Sequence, residues 1–513
     1  MKTFQSSDAA EVNRGICSSQ LVQGRAPVIL RMCIRLLSAL SHLASSTVIC
    51  LFLFCEIAAA ATTSSLSKWG ITWTFAGAVE YGTFANGDYW VVGPVTINAM
   101  TPDWDGTLNG WEINPTVQTS QGFVAGVSGY DALLRPAMPF TMTSGSLVKT
   151  IGQTPTVDGS NIKTAAVLTV LTEVPPGNGA GVFRPPYVGT NKPIYLVSNI
   201  RQDLLPTGYA PVANMPTLAT VTANFSKCLR MDHRPSTPRW FRPTDAMKGY
   251  QPNNTQEINE AMLRLMMMDS YADKLPALIQ FTQHTIDQAY AVLYGYRNSD
   301  DGHNPNHRVM AAWAATLLDI SAVKTLLATA TGFHEDLYLY SANNRVLWGE
   351  SGYSEFSYWN YIMTGSGSRS LKEPYGYIDG GKLSSVGASY QNIVSQSFKG
   401  QALIYRLFPQ LRACIPITQR MNLDNYAERW ITHGVWASPD PVAPYDGVNS
   451  NYGITFGPNG TGGYIPGSGR FTQYHGANKD GGQYKSLFVA SMWSAYAGTT
   501  SAPTPPSGLR IMP

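Results

Sequence analysis

Ile71-Thr72-Trp73-Thr74-Phe75, then Asn86-Gly87, then Tyr89-Trp90-Val91-Val92: this stretch decides how the first half of the chain is built. Aromatic and β-branched side chains fit a pleated, half-buried surface. Asn-Gly readily adopts the positive-φ pair of a tight hairpin turn. Two strands joined by that turn are therefore predicted. Further strands at 165–174 and 193–197, separated by Gly/Pro/Asn clusters, carry the pattern from Ser64 to about Asn224. The expectation is a β-sandwich-like domain.

After about Asn253 the period becomes helical. Ile279, Ile286, Ala289 and Leu293 fall on one face between Leu275 and Tyr294. Further helices are predicted at 257–268, 308–320, 322–330, 390–408, 423–434 and 486–496. Joined by Gly/Tyr-rich loops, they suit an incomplete α/α toroid, a plain bundle being the simpler alternative. Met266-Met267-Met268 reads as core filler. The expected division is a targeting segment at 1–61, a β-sandwich-like domain at 62–230, an α/α-toroid-like domain at 231–500 and a Pro-rich tail at 501–513.

The 513 residues exceed the ~250–300 that one compact core usually serves, so two or more domains are expected. Only 13% are charged, against about 25% in an average globular protein. A net charge of +3 gives no general basic field, which argues against a dedicated nucleic-acid binder. Abundant Gly, Tyr and Trp suit an extracellular protein with long loops and aromatic contact sites. Of six cysteines only Cys228 and Cys414 lie beyond Ala61, so at most one bridge is expected in the exported chain. Arg31 and Arg35 precede an apolar stretch at 36–54, and 58–61 offers an A-x-A cleavage site. Met32 begins a leader of normal length. Ser41, His42, Ser45 and Ser46 interrupt the apolar run, leaving it short of the ~20 residues a span needs. Export with cleavage near Ala61 is expected, a membrane anchor being the rival, and the mature protein is placed outside the cell or on its surface.

Three polar clusters carry the candidate chemistry. Asp300-Asp301-Gly302-His303-Asn304-Pro305-Asn306-His307-Arg308 stands directly before an apolar helix, where free N–H groups attract carboxylates. The same residues suit a helix cap, through Asn306 or Asn304. The second cluster runs from Asn343 through Arg345 and Glu350 into Tyr358, Trp359, Asn360 and Tyr361. The third holds Glu373, Tyr375, Tyr377 and Asp379. Aromatics at this density form platforms for sugar rings, and Arg and Asn bind carboxylates and hydroxyls. An ordinary packed Tyr-rich loop is the plainer reading. The sequence contains no Walker A, HExxH or GxSxG motif, no well-placed GxGxxG, and no Cys/His cluster for zinc.

The run 70–75, with Phe84-Ala85-Asn86-Gly87-Asp88-Tyr89-Trp90-Val91-Val92-Gly93-Pro94-Val95-Thr96-Ile97, resembles the opening of large secreted bacterial proteins. Those proteins pair a β-domain with an α/α toroid. The helix at 278–294 followed by Asp301-Gly302-His303 is similar to their Gly-His-x-x-x-Arg/Lys stretch. His233-Arg234-Pro235-Ser236, with Arg239 and Pro243, looks like another of their short motifs. The resemblance extends to alginate- and glucuronan-type polysaccharide lyases. It implies metal-independent β-elimination on an acidic polysaccharide, with no cofactor. Such a reaction needs the uronate carboxylate neutralised, a base for the C5 proton and an acid for the leaving oxygen. The expected catalytic residues are His303 (base or carboxylate neutraliser), Tyr358 (base and acid), Arg345 (carboxylate clamp) and Tyr361 (the alternative tyrosine). Asn304, His307, Trp359, Asn360 and Tyr375 are the expected substrate-binding residues. Two rivals remain. An inverting glycoside hydrolase would use two carboxyl groups from Glu335, Asp336, Glu350, Glu355 and Asp379. A non-catalytic glycan-binding or cell-surface protein would use the Trp-rich β-domain.

Overall fold

The computed structural model describes residues 61–234, 238–297, 305–342, 345–348, 388–433 and 484–498. The expected leader and the Pro-rich tail lie outside them.

The predicted hairpin forms, but of the Asn86-Gly87 pair only Gly87 takes a positive φ. Strand β1 (Ala61–Lys68) pairs with β2 (Ile71–Thr83), and β2 turns into β3 (Tyr89–Val92) with Thr83 opposite Tyr89. Gly87 sits at φ 83° and its N–H bonds the Phe84 carbonyl at 2.8 Å, closing the turn. Along β2, Ile71, Trp73 and Phe75 are buried while Thr72 and Thr74 are half-buried, the period-two pattern expected of a strand. The sheet continues through β4 (Val95–Thr101), β5 (Trp111–Ile113), β6 (Phe140–Met142), β7 (Gly145–Val157) and β8 (Ser160–Leu171). Its order is β5-β7-β8-β3-β2-β4-β6, with β1 added to β2. The β3–β8 pair is parallel and the other pairs are antiparallel, so the sheet is mixed. Two short strands, β9 (Val182–Phe183) and β10 (Tyr195–Leu196), pair separately.

Strand β8 is buried on both faces, which is why it reads as a nearly continuous apolar run. Ala166, Leu168 and Val170 join Trp73 and Ile97 in the sheet's own core. Ile162, Ala165 and Val167 face the other way, against Tyr187, Met231, Phe241, Ala291 and Tyr296. That second face is the floor on which the polar seam described below is built.

Among the described residues the helices are α1 (Leu218–Phe225), α2 (Gln251–Leu265), α3 (Tyr271–Leu293), α4 (His307–Leu317), α5 (Ser321–Thr329), α6 (His334–Tyr338), α7 (Ala388–Leu407), α8 (Ile417–His433) and α9 (Leu487–Tyr496). The seven predicted from periodicity are all present; α1 and α6, short and weakly patterned, are additions. A hairpin, β11 (Leu339–Ala342) with β12 (Arg345–Trp348), follows α6. Every residue of α4 is buried, so it runs through the middle of the helical core. Met266 and Met267 are fully buried in that core, as filler should be. The chain thus combines helices with a mixed sheet. None of the described helices is long and apolar enough to cross a membrane. Cys228 and Cys414 are buried, free thiols rather than a bridge.

Candidate functional site

The start of α4 organises the polar interior. Asn306 holds the cap position in a left-handed conformation, but its side chain does not cap the helix as the sequence suggested. Its Nδ2 instead donates to Asn259 Oδ1 on α2 at 2.8 Å. The next two residues, His307 and Arg308, lead to two separate carboxylate centres.

The first centre is Asp232, on an irregular segment moored to β8 by the bond from Leu229 N–H to the Ala165 carbonyl. Arg230, Met231, Asp232, His233 and Arg234 are all buried, an unusual density of charge for an interior segment. Asp232 Oδ1 accepts from Arg242 Nε (3.2 Å), Arg242 Nη2 (3.0 Å) and the Tyr296 hydroxyl (2.8 Å). His307 Nε2 lies 3.0 Å from Oδ2. Burial alone would raise the Asp232 pKa, but Arg242 and His307 more than offset it and hold the carboxyl well below its usual range. Asp232 is therefore a buried carboxylate anion.

Tyr187 and His233 extend the centre. The Tyr187 hydroxyl accepts the Asp232 N–H at 3.2 Å and meets His233 Nδ1 at 2.9 Å. Burial keeps the phenol protonated and pushes the imidazole pKa well below its ordinary value. The phenol and Nδ1 share one hydrogen bond, whose direction follows the imidazole tautomer, and the other ring nitrogen is Nε2. That nitrogen is buried and has no hydrogen-bond partner.

A second ion group scaffolds the seam from the sheet side. Arg184 grips Asp287 on α3 through both Nη atoms and reaches Asp88, in the β2–β3 turn, at 2.7 Å. Lys68 reaches Asp88 at 2.7 Å from the end of β1. Against the cost of burial, Lys68 and Arg184 hold the Asp88 carboxyl down to about 2. Asp287 also accepts the Tyr187 N–H, at 3.3 Å, so the two groups share a wall.

The second centre surrounds Arg308. It donates to Asp336 through both Nη atoms and to the Ala330 carbonyl at 3.0 Å. Glu335 Oε1 lies 3.2 Å from Arg308 Nη1, yet neither Glu335 oxygen has a hydrogen-bond partner. Burial pushes the Glu335 carboxyl up to about 7; Arg308 opposes this and Asp336 adds to it. The buried Tyr405 hydroxyl and both ends of the Gln401 amide are also without partners.

Of the expected site residues, His307 is enclosed at the Asp232 centre, 1% exposed, where it touches a carboxylate of the protein itself. Arg345 opens β12, and nothing is described of its side chain. His303, Asn304, Tyr358, Trp359, Asn360, Tyr361 and Tyr375 lie outside the described residues, as do Glu350, Glu355 and Asp379. The residues that sequence reasoning missed are Asp232, Tyr187, Tyr296, Arg242, Arg184 and Asp287. Their signal was charged and hydrogen-bonding residues placed on otherwise apolar stretches, as with His284 and Asp287 on α3. Among the described residues no three His, Cys, Asp or Glu side chains gather in a metal-binding arrangement.

In the segments that follow β4 and β5, Trp104 stacks parallel to Tyr130, with centroids 5.9 Å apart and planes at 3°. The Arg135 guanidinium lies 4.2 Å from the Trp104 ring and 5.0 Å from Trp111, whose ring also has Lys149 Nζ at 5.1 Å. Comparison of the chain with family models, curated proteins and solved structures gives no match.

Proposed function

We propose that this protein is a secreted polysaccharide lyase, cleaving a uronic-acid polysaccharide of alginate or glucuronan type by metal-independent β-elimination. A sandwich-like β-domain followed by an incomplete α/α toroid belongs to the same reading, supported by the successive packing of α3 on α4 and α4 on α5. The observation that carries the proposal is the meeting of phenol, imidazole and guanidinium groups from three separate chain segments around one buried carboxylate, Asp232.

The Asp232 centre is enclosed, so its members act on the chemistry by position. His307 is tied to Asp232 only four residues after His303 and three after Asn304. In this reading the tie fixes the end of the segment carrying those two residues. His303 then removes the C5 proton or neutralises the carboxylate, Tyr358 serves as acid and base, and Arg345 clamps the uronate. General acid–base help of this kind is worth ~10²–10⁴-fold. The test is a panel of uronic-acid and neutral polysaccharides, read for both the ultraviolet absorbance of the unsaturated product and new reducing ends. The wild type should produce both signals on a uronic-acid polymer, and His303→Ala and Tyr358→Phe should abolish them. Full activity in both variants eliminates the assignment.

A second reading has its own observation. Glu335 keeps its proton up to about pH 7, as the general acid of a glycoside hydrolase would, although Asp336, held on the same Arg308 nitrogen, is too close to be the second carboxyl of an inverting pair. Reducing ends without the double bond, lost in Glu335→Gln, would select that reading. Saturable glycan binding without chain shortening would select a binding role instead.

A further inference from the structure

An open cleft of about 510 Å³ lies at the end of the β7–β8 hairpin. Thr156, Gly159 and Asn161 of the hairpin, Ser128 of an earlier loop, and Arg239 and Trp240 of the helical turn Pro238–Phe241 line it. The hairpin closes on Asp158-Gly159, at φ 50° and 75°, the pair of positive angles that a tight turn takes. Gly159 also makes room for a side chain, because a Cβ there would stand 2.5 Å from Nε and Nη2 of Arg239. The guanidinium therefore lies directly against the turn. Ser160 Oγ donates to the Arg242 carbonyl at 2.7 Å and ties the helical turn to the start of β8.

Among the described residues Arg239 has no acidic partner. Its one hydrogen bond runs from Nη2 to the Asp158 carbonyl, at 3.4 Å. Nε is enclosed, whereas Nη1 makes no hydrogen bond and is not enclosed. The Asp158 carboxylate accepts the Gly249 N–H at 2.7 Å instead of pairing with the guanidinium. Trp240 is half-buried; it packs on the core beneath β8 and also lines the cleft. Its indole N–H makes no hydrogen bond and, unlike those of Trp73, Trp90 and Trp313, is not sealed in the interior. Asn161 is half-buried, Ser128 and Thr156 are exposed, and their amide and hydroxyl groups form no hydrogen bond within the protein.

Arg239 is the one charged residue on the lining, which suits a ligand with a single negative charge rather than a polyanion. An indole offers apolar area to the C–H face of a sugar ring, and amides and hydroxyls both donate and accept, as sugar hydroxyls require. The volume falls within the ~300–1,000 Å³ of small-ligand sites. We propose that this cleft binds a uronic-acid residue of an acidic polysaccharide: its carboxylate on Nη1 of Arg239, its ring against Trp240, its hydroxyls toward Asn161, Ser128 and Thr156. The choice of a uronate polymer rests on the lyase reading, but the cleft uses none of the residues expected to carry out that chemistry.

Calorimetric titration of the full chain carrying His303→Ala, so that the oligomer is not consumed, tests the site. The probes are tetrasaccharides of glucuronan and of alginate, with cellotetraose as the neutral counterpart. Saturable binding of either uronate oligomer, with cellotetraose at least about tenfold weaker, is the expected result. Adding Arg239→Gln should weaken one binding step about tenfold or more. Arg201→Gln, which removes the same charge outside the cleft, should leave every step unchanged. Circular dichroism melting confirms that each variant is folded. Silence from both uronate oligomers, equal binding of cellotetraose, unchanged binding in a folded Arg239→Gln protein, or equal weakening by Arg201→Gln overturns the proposal. The two readings fail separately. Unsaturated product from the wild type without an Arg239-dependent step overturns the cleft alone, and an Arg239-dependent step without unsaturated product overturns the lyase alone.

Discussion

Asp232 and Glu335 are both buried carboxylates, approached from consecutive residues at the start of α4, and they end in opposite states. His307 leads to Asp232 and Arg308 to Glu335. Burial pushes each toward the protonated form. Asp232 accepts two bonds from Arg242 and one from Tyr296 and pairs with His307, which holds it as an anion. Glu335 receives no hydrogen bond, because Arg308 has turned both Nη atoms to Asp336 and Ala330. It therefore holds its proton to about pH 7. The difference teaches that depth does not decide charge in this interior; the number of aligned donors does. A fully satisfied centre holds the architecture together, whereas an unsatisfied one is a reservoir of reactivity.

The largest expected effect breaks the satisfied centre. Asp232→Asn leaves Arg242 as a buried charge without its counterion, a loss of about 3–5 kcal/mol in urea unfolding at neutral pH. The sign with pH follows from the lowered folded pKa. The unfolded carboxyl titrates near ~3.9, so the contribution is fully present above that value. It is lost only as pH falls through the folded value, which lies lower still. The deficit of the variant should therefore stay constant from about pH 5 to 8. A deficit under about 1 kcal/mol would place Asp232 on the same footing as Glu335 and end the contrast.

Glu335→Gln should act in the other direction. The folded pKa of about 7 lies above the ~4.3 of an unfolded glutamate, so the folded state binds the extra proton between those values. Its contribution is complete below about pH 4 and lost as pH rises through 7. The variant should therefore be more stable than wild type at about pH 8, by on the order of 3 kcal/mol, with the advantage gone only below about pH 4. An equal or lower stability at pH 8 would show that Arg308 reaches Glu335 better than its alignment indicates.

The elements were legible in the sequence to different depths. Asn86-Gly87 and the aromatic and β-branched runs on either side of it exposed the hairpin because both are local signals. The helix containing Ile279, Ile286, Ala289 and Leu293 was equally plain. Its chemistry was not, since His284 and Asp287 become meaningful only once β9 and the turn bearing Asp88 bring Arg184 against them. His307 drew notice as part of a polar cluster before an apolar helix, but its partner stands 75 residues earlier in the chain. Spacing along a sequence carries no trace of such a pairing. His233-Arg234 stood out through resemblance alone, while the adjacent Asp232, the hub of the network, matched no pattern.

A buried cation on the sheet gives the smallest effect and the most direct extension of the contrast from anions to cations. Lys149 on β7 is fully buried; its ammonium donates to the Asn109 carbonyl and lies 5.1 Å from the Trp111 ring. Burial pushes its pKa down to about 7, with Asp103 opposing and Arg135 reinforcing the shift. One carbonyl and one aromatic face are too few partners to hold the charge, so Lys149 is the cationic counterpart of Glu335. Between about pH 7 and the ~10.4 of an unfolded lysine, the unfolded chain binds more protons than the folded one, so stability rises with pH. The slope is worth about 1 kcal/mol between pH 7 and 8. Lys149→Met should reduce the rise by about 1 kcal/mol while keeping the aliphatic packing on Trp111; Lys192 and Lys274, whose pKa burial lowers to about 7 and about 8, keep their own share of the slope. If wild type and variant show the same pH dependence, Lys149 remains charged, and the rule drawn from the two carboxylates does not extend to the sheet.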